Sequence, residues 1–112
     1  MKEYQLQKSV CKFLDLKGYL FCGSMGGQYQ VFRSQRIKAK NSGYKRGFPD
    51  LFIYEPKGKY NGLAIELKVG YNKATQEQLQ WISKLRKRGY CAEICNGIDE
   101  TINIINKYFN EN

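Results

Sequence analysis

The sequence contains no histidine. That absence removes the imidazole base of Ser/His and Cys/His catalysis and leaves carboxylates, lysines and tyrosines to carry any acid–base chemistry. Prolines number only two, and no proline-rich, serine-rich or low-complexity stretch marks a linker or tail. With 112 residues and apolar side chains spread along the whole length, this predicts one globular domain over residues 1–112. No apolar run approaches the roughly 18 residues of a membrane span. The N-terminus, with Lys2 and Glu3, lacks the apolar stretch of a secretion signal. A cytoplasmic protein with no membrane partner is expected. The four cysteines, Cys11, Cys22, Cys91 and Cys95, are irregularly spaced. With no histidine to complete a mixed zinc site, they read as reduced, mostly buried thiols, a four-cysteine metal site being the minor alternative.

A second absence is local. Between Leu16 and Pro49 there is no Asp or Glu, while Lys17, Arg33, Arg36, Lys38, Lys40, Lys45 and Arg46 all fall there, within a chain of net charge +9. Such a stretch attracts polyanions by releasing their counterions, although charge alone leaves a merely solvated basic face equally open. An anionic membrane surface fits less well, because the stretch lacks an amphipathic helical pattern.

Apolar periodicity gives the elements. Leu6, Val10, Phe13 and Leu14 form the stripe of a first helix over residues 3–16, extended by Glu3 and Gln7 and stopped at Gly18. Tyr19 to Met25 reads as a short strand ended by Gly26 and Gly27, and the basic segment after it as loop with a helical turn at most. Residues 50–54 and 62–69 read as an antiparallel hairpin around Pro56 and Gly58. A second helix over residues 76–88 has Thr75 as N-cap, Gln78 at N3 and Trp81, Ile82 and Leu85 inward. A strand over residues 90–95, an Asn96-Gly97 turn, and a last helix capped by Asp99 with Ile102, Ile105 and Phe109 on one face complete the order αβββαβα. The fold class is α/β, with features of α+β.

Side chains alternate along a strand, so Leu63, Ile65, Leu67 and Val69 share one face, and Ala64, Glu66 and Lys68 the other. If Tyr54 pairs with Gly62, Asp50 falls opposite Glu66, with Cβ atoms about 4.5–5.5 Å apart. Two carboxylates that close repel unless a proton or cation lies between them, which suits a divalent metal bound through oxygen, Mg2+ above all. Lys68, about 7 Å along the strand from Glu66, reaches the same cleft and could stabilise developing negative charge. The bland alternative is a turn aspartate after Pro49 and two ordinary charges on a solvent-facing sheet.

The residues Gly47-Phe48-Pro49-Asp50, then Ile65-Glu66-Leu67-Lys68, then Thr75-Gln76-Glu77-Gln78 followed by Trp81 resemble the virus-type replication-repair nuclease (VRR-NUC) family of the PD-(D/E)xK superfamily. The resemblance covers nearly the whole chain. It implies a restriction-endonuclease-like core with a central mixed sheet flanked by helices, DNA phosphodiester cleavage, and Mg2+ or Mn2+ as cofactor. It also implies a homodimer acting on branched DNA such as flaps or four-way (Holliday) junctions, as in stand-alone phage enzymes of this size, and hence a bacterial or phage-infected cytosol. By the same resemblance Asp50, Glu66, Lys68 and Gln78 are the candidate catalytic residues, and Glu3, Asp50, Glu66 and Leu67 the candidate metal ligands. Gln78 also fits a capping box with Thr75, Trp81 reads as core, and Gly47 as the turn that aims Asp50. Candidate DNA contacts are Arg33, Arg36, Lys38, Lys45 and Arg46. No organic cofactor is expected. The rival readings are an archaeal-type Holliday junction resolvase, a nucleic-acid-binding module without cleavage, and a structural subunit that contacts an acidic protein.

Overall fold

In the computed structural model, which describes residues 1–24 and 32–110, the chain runs as α1 (Glu3–Lys17), β1 (Phe21–Gly23), α2 (Arg33–Asn41), β2 (Leu51–Ile53), β3 (Leu63–Lys68), α3 (Gln76–Lys87), β4 (Cys91–Asn96) and α4 (Gly97–Asn110). The predicted strand end at Met25 and its Gly26-Gly27 stop lie outside the described residues. The strands form one sheet in the order β1-β2-β3-β4. β1, β2 and β3 pair antiparallel, and β4 joins β3 in parallel after the crossover through α3. This is the expected mixed sheet flanked by helices.

The hairpin register agrees with the sequence reading. Leu51 pairs with Ile65 and Ile53 with Leu63, so one step outward Asp50 stands across from Glu66. Alternation then sorts β3 between two layers. Leu63, Ile65 and Leu67 enter a core cluster with Leu6, Val10 and Leu14 of α1 and Ile105 and Tyr108 of α4. Ala64, with Phe52 and Ala92, packs under Ile82 and Leu85 of α3. All six residues of β3 are buried, which a fully covered strand requires and a solvent-facing one would not show.

Four expectations need correction. First, the basic segment forms the nine-residue helix α2, making the order αβαββαβα; because α2 buries no residue, it has no apolar stripe to announce it. Second, Asp99 does not cap α4, since β4 runs directly into the helix at Gly97 and Glu100 Oε2 accepts the Asn96 N–H instead. Third, the buried face of α4 is Thr101, Ile105 and Tyr108, with Ile102 only half-buried. Thr101 is tolerated there because its hydroxyl donates to the Gly97 carbonyl at 2.7 Å. Fourth, the thiols are all free, but only Cys95 is fully buried, and Cys22 is exposed. Cys22 lies on the edge strand β1, on the face it shares with Phe52. Burial pushes the Cys95 thiol up to about 12. No helix among the described residues is long and apolar enough to cross a membrane.

Candidate active site

Asp50 is aimed by its neighbours before any ligand arrives. Gly47 makes this possible in two ways. Its φ of 92° is left-handed, and a Cβ there would lie 2.6 Å from the Glu77 carbonyl carbon, so any side chain would push the turn off the start of α3. Trp81 secures the same turn, its Nε1 donating to the Arg46 carbonyl at 3.1 Å while its ring meets Phe48 edge-on at 5.3 Å. Trp81 is thus a clamp on the Asp50 turn as well as part of the core. After the buried Pro49, the Asp50 carboxylate accepts the Leu67 N–H at 2.8 Å, and its carbonyl accepts the Ser24 N–H at 2.7 Å and Gln7 Nε2 at 3.4 Å.

Glu66 lies under α3 with 2% of its surface exposed. One oxygen, Oε2, accepts Gln78 Nε2 at 3.1 Å and stands 3.5 Å from Lys68 Nζ. The other, Oε1, is buried with no hydrogen-bond partner. Burial, then the charge of Asp50 and a shared hydrogen bond with it, push the Glu66 carboxyl up to about 9, with Lys68 pulling the other way. These two observations agree once the proton is counted, because two ionised carboxylates are both acceptors and share a hydrogen bond only when a proton sits between them. Gln78 makes both of the contacts its position allowed. Its Oε1 accepts the Thr75 N–H at 2.9 Å to close the capping box, and its amide nitrogen serves Glu66.

Lys68 is 7% exposed, and its Nζ lies between Glu66 and Glu3, 4.0 Å from Glu3 Oε2. Glu3, at the start of α1, also accepts Asn72 Nδ2 at 3.3 Å. Of the predicted metal ligands, Asp50 and Glu66 are brought together, whereas Glu3 is drawn to Lys68 and Asn72. Among the described residues no three His, Cys, Asp or Glu side chains converge as a metal site. The Leu67 side chain is in the core, so only its backbone could serve as a ligand. Because a strand residue directs its N–H and C=O to the same side and the Leu67 N–H goes to Asp50, its carbonyl faces that side too. The orphaned Glu66 oxygen beside Asp50 fits a hard divalent cation.

Arg33, Arg36 and Lys38 lie on exposed positions of α2, and Lys45 and Arg46 on the exposed link before Gly47. The bond from Trp81 to Arg46 places the end of this basic segment against the helix that carries Gln78. Sequence reasoning gave no site role to Gln7 or Asn72. Gln7 sits one turn from Glu3 on the inward stripe, a signal that could have found it; Asn72 offers none.

The sequence profile of the VRR-NUC domain matches residues 2–99. The chain belongs to the VRR-NUC family. No curated protein matches it. Among solved structures it is similar to a VRR_NUC domain protein at 33% identity, with a TM-score of 0.81 over 96% of this chain and 88% of the other. A second structure, of a VRR_NUC domain, shares the fold at 21% identity and a TM-score of 0.66, over 96% of this chain and 97% of that one. VRR-NUC domains have a nuclease-type fold and use divalent metal ions, in keeping with the carboxylate pair at the end of β3.

Proposed function

We propose that this VRR-NUC chain is a Mg2+- or Mn2+-dependent endonuclease that hydrolyses phosphodiester bonds in branched DNA, such as flaps or four-way junctions, and acts as a homodimer. The observation that carries the reading is the buried, unpartnered Oε1 of Glu66 beside Asp50, with Lys68 Nζ 3.5 Å from the other oxygen of the same carboxylate. An ordinary sheet face has no use for such a group, which costs free energy until something charged completes it.

Asp50, Glu66 and the Leu67 carbonyl, with Glu3 at the rim, would hold the ion, which supplies a Lewis acid and a bound water of lowered pKa. The chain's own groups do the rest. Gln78 fixes Oε2 of Glu66, and the Leu67 N–H fixes Asp50. Lys68, held by two carboxylates, is placed to stabilise negative charge developing on the phosphate. The basic residues of α2 and the 45–46 link supply affinity through the backbone of the nucleic acid.

The dimer rests on size and symmetry. A chain of 112 residues offers little surface for grasping a branched duplex, and two-fold assembly is the commonest oligomer. A light-scattering protein mass near 13.1 kDa at working concentration, with and without DNA, would count against it. The activity is tested by incubating supercoiled plasmid and a four-way junction with the protein. Cleavage is expected with Mg2+ or Mn2+ and absent in EDTA or with Asp50→Asn. An Asp50→Asn protein that cuts at the wild-type rate would sink the proposal.

A further inference from the structure

The loop from Val69 to Thr75 leaves the strand of Glu66 and Lys68 and enters the helix of Gln78. It is pinned. Asn96 Nδ2 donates to the Gly70 carbonyl at 2.9 Å, the Asn72 N–H to the Val69 carbonyl at 3.2 Å, and Asn72 Nδ2 to Glu3 Oε2. In the middle of this turn stands Tyr71, completely exposed at 101% of its reference area.

No other large apolar or aromatic side chain among the described residues is so bare; Leu16, at 81%, comes next. Leu16 also lies at the opposite end of α1 from Glu3, about 20 Å away at 1.5 Å per residue. The other tyrosines engaged by rings show the contrast. Tyr19 stacks on Phe109 at 3.8 Å, Tyr54 on Phe52 at 4.7 Å, and Tyr90 meets Phe52 edge-on. Tyr71 is fully exposed, yet the turn that carries it is fixed, so both faces of its ring are offered three residues along the chain from Lys68. The exposed Lys73 is two residues further on.

Geometry limits what can reach that ring. Three peptide steps separate Tyr71 from Lys68, so their Cα atoms are at most about 11 Å apart. Each side chain reaches about 6 Å beyond its Cα, so at about 3.4 Å per nucleotide along a strand the ring stands within about six or seven nucleotides of a phosphate engaged by Lys68. Inside a continuous duplex both faces of every base are covered by neighbouring bases, leaving nothing for an aromatic ring to stack upon. At a fork, flap or single-stranded end a base face is free, and stacking on it is favourable whatever the base.

We propose that Tyr71 is a stacking platform that selects DNA in which a base within a few nucleotides of the scissile phosphate is unstacked, with Lys73 contacting the adjoining backbone. This rests on the nuclease reading and names the structural class of its substrate: a boundary between single-stranded and duplex DNA.

The test measures binding in EDTA, where cleavage does not intervene, using a splayed fork and a continuous duplex of equal length, each with 2-aminopurine at one position near the centre. Tyr71→Ala lowers affinity for the fork about tenfold and for the duplex less than twofold, and abolishes fluorescence quenching in the fork. Tyr71→Trp restores both, and the melting temperature is unchanged throughout. If Tyr71→Ala weakens both probes alike, or neither, the platform is refuted while the nuclease reading stands. If the wild type binds neither probe, the platform is refuted; if it also cleaves no DNA with Mg2+ or Mn2+, the nuclease reading falls with it.

Discussion

On one side of β3, Leu63, Ile65 and Leu67 are sealed beneath α1 and α4. On the other, Ala64 lies beneath α3, and the next two residues of that face, Glu66 and Lys68, are nearly as inaccessible but can carry charge. Equal burial thus conceals opposite chemistry. The apolar face is completed by carbon contacts, each fully buried side chain contributing about 1.5–3 kcal/mol. The polar face is left incomplete, one carboxylate oxygen having no partner, and a buried group in that state costs about 1–3 kcal/mol. The strand therefore anchors the fold with one face and holds an incompletely paired carboxylate beside a buried lysine with the other.

The largest effects should divide along that line. Ile65→Ala, on the apolar face, is expected to destabilise the protein by about 2–5 kcal/mol, read from urea unfolding, while cleavage per folded molecule persists. Lys68→Met, on the polar face, keeps the apolar stem of the side chain and should leave the fold intact, yet cut cleavage by about 10²–10³-fold. If Lys68→Met cleaves normally while folded, or Ile65→Ala loses activity without losing stability, the two faces are not functionally distinct.

A smaller effect sharpens the contrast through pH. The Glu66 carboxyl is raised from 4.5 to about 9, so in the metal-free protein the folded state holds a proton that the unfolded chain gives up. Its contribution is fully present below about pH 4.5 and is lost as pH rises through the folded value near 9. Glu66→Gln resembles the protonated form and carries no such dependence. In EDTA its melting temperature should gain on the wild type as pH increases from 5 to 9, while its metal-dependent cleavage is lost. A constant difference across that range would mean that Glu66 does not hold a proton in the fold.

The smallest effect concerns α2, which belongs to neither face. Because it buries nothing, Arg33→Ala with Arg36→Ala should change stability by less than about 0.5 kcal/mol. DNA affinity should fall, with the salt slope reduced by about two units if both side chains meet phosphates. An unchanged slope in a gel-shift series over salt concentration would remove α2 from the nucleic-acid surface.

The apolar patterns of α1, α3 and β3 were legible because a repeated preference for one side is a local property of consecutive residues. The hairpin register followed from the length of the loop, through the pairing of Tyr54 with Gly62, and the observed pairs Leu51–Ile65 and Ile53–Leu63 agree with it. α2 was not legible, because a helix that buries no residue needs no stripe. The face of α4 was misjudged because Thr101 hides its hydroxyl in a bond to Gly97, so a polar residue occupies a core position.

By itself the sequence determined the inward stripes of α1 and α3 and that Glu66 and Lys68 share one face of β3, and it made Asp50 opposite Glu66 conditional on one hairpin register. Only the tertiary structure decided that this charged row is buried, that one amide of Gln78 serves both the helix cap and Glu66, and that Gln7 and Asn72 reach across 43 and 69 residues to Asp50 and Glu3. Alternation and periodicity are written into neighbouring residues, whereas a hydrogen bond between distant side chains leaves no trace in either segment until folding brings the two together.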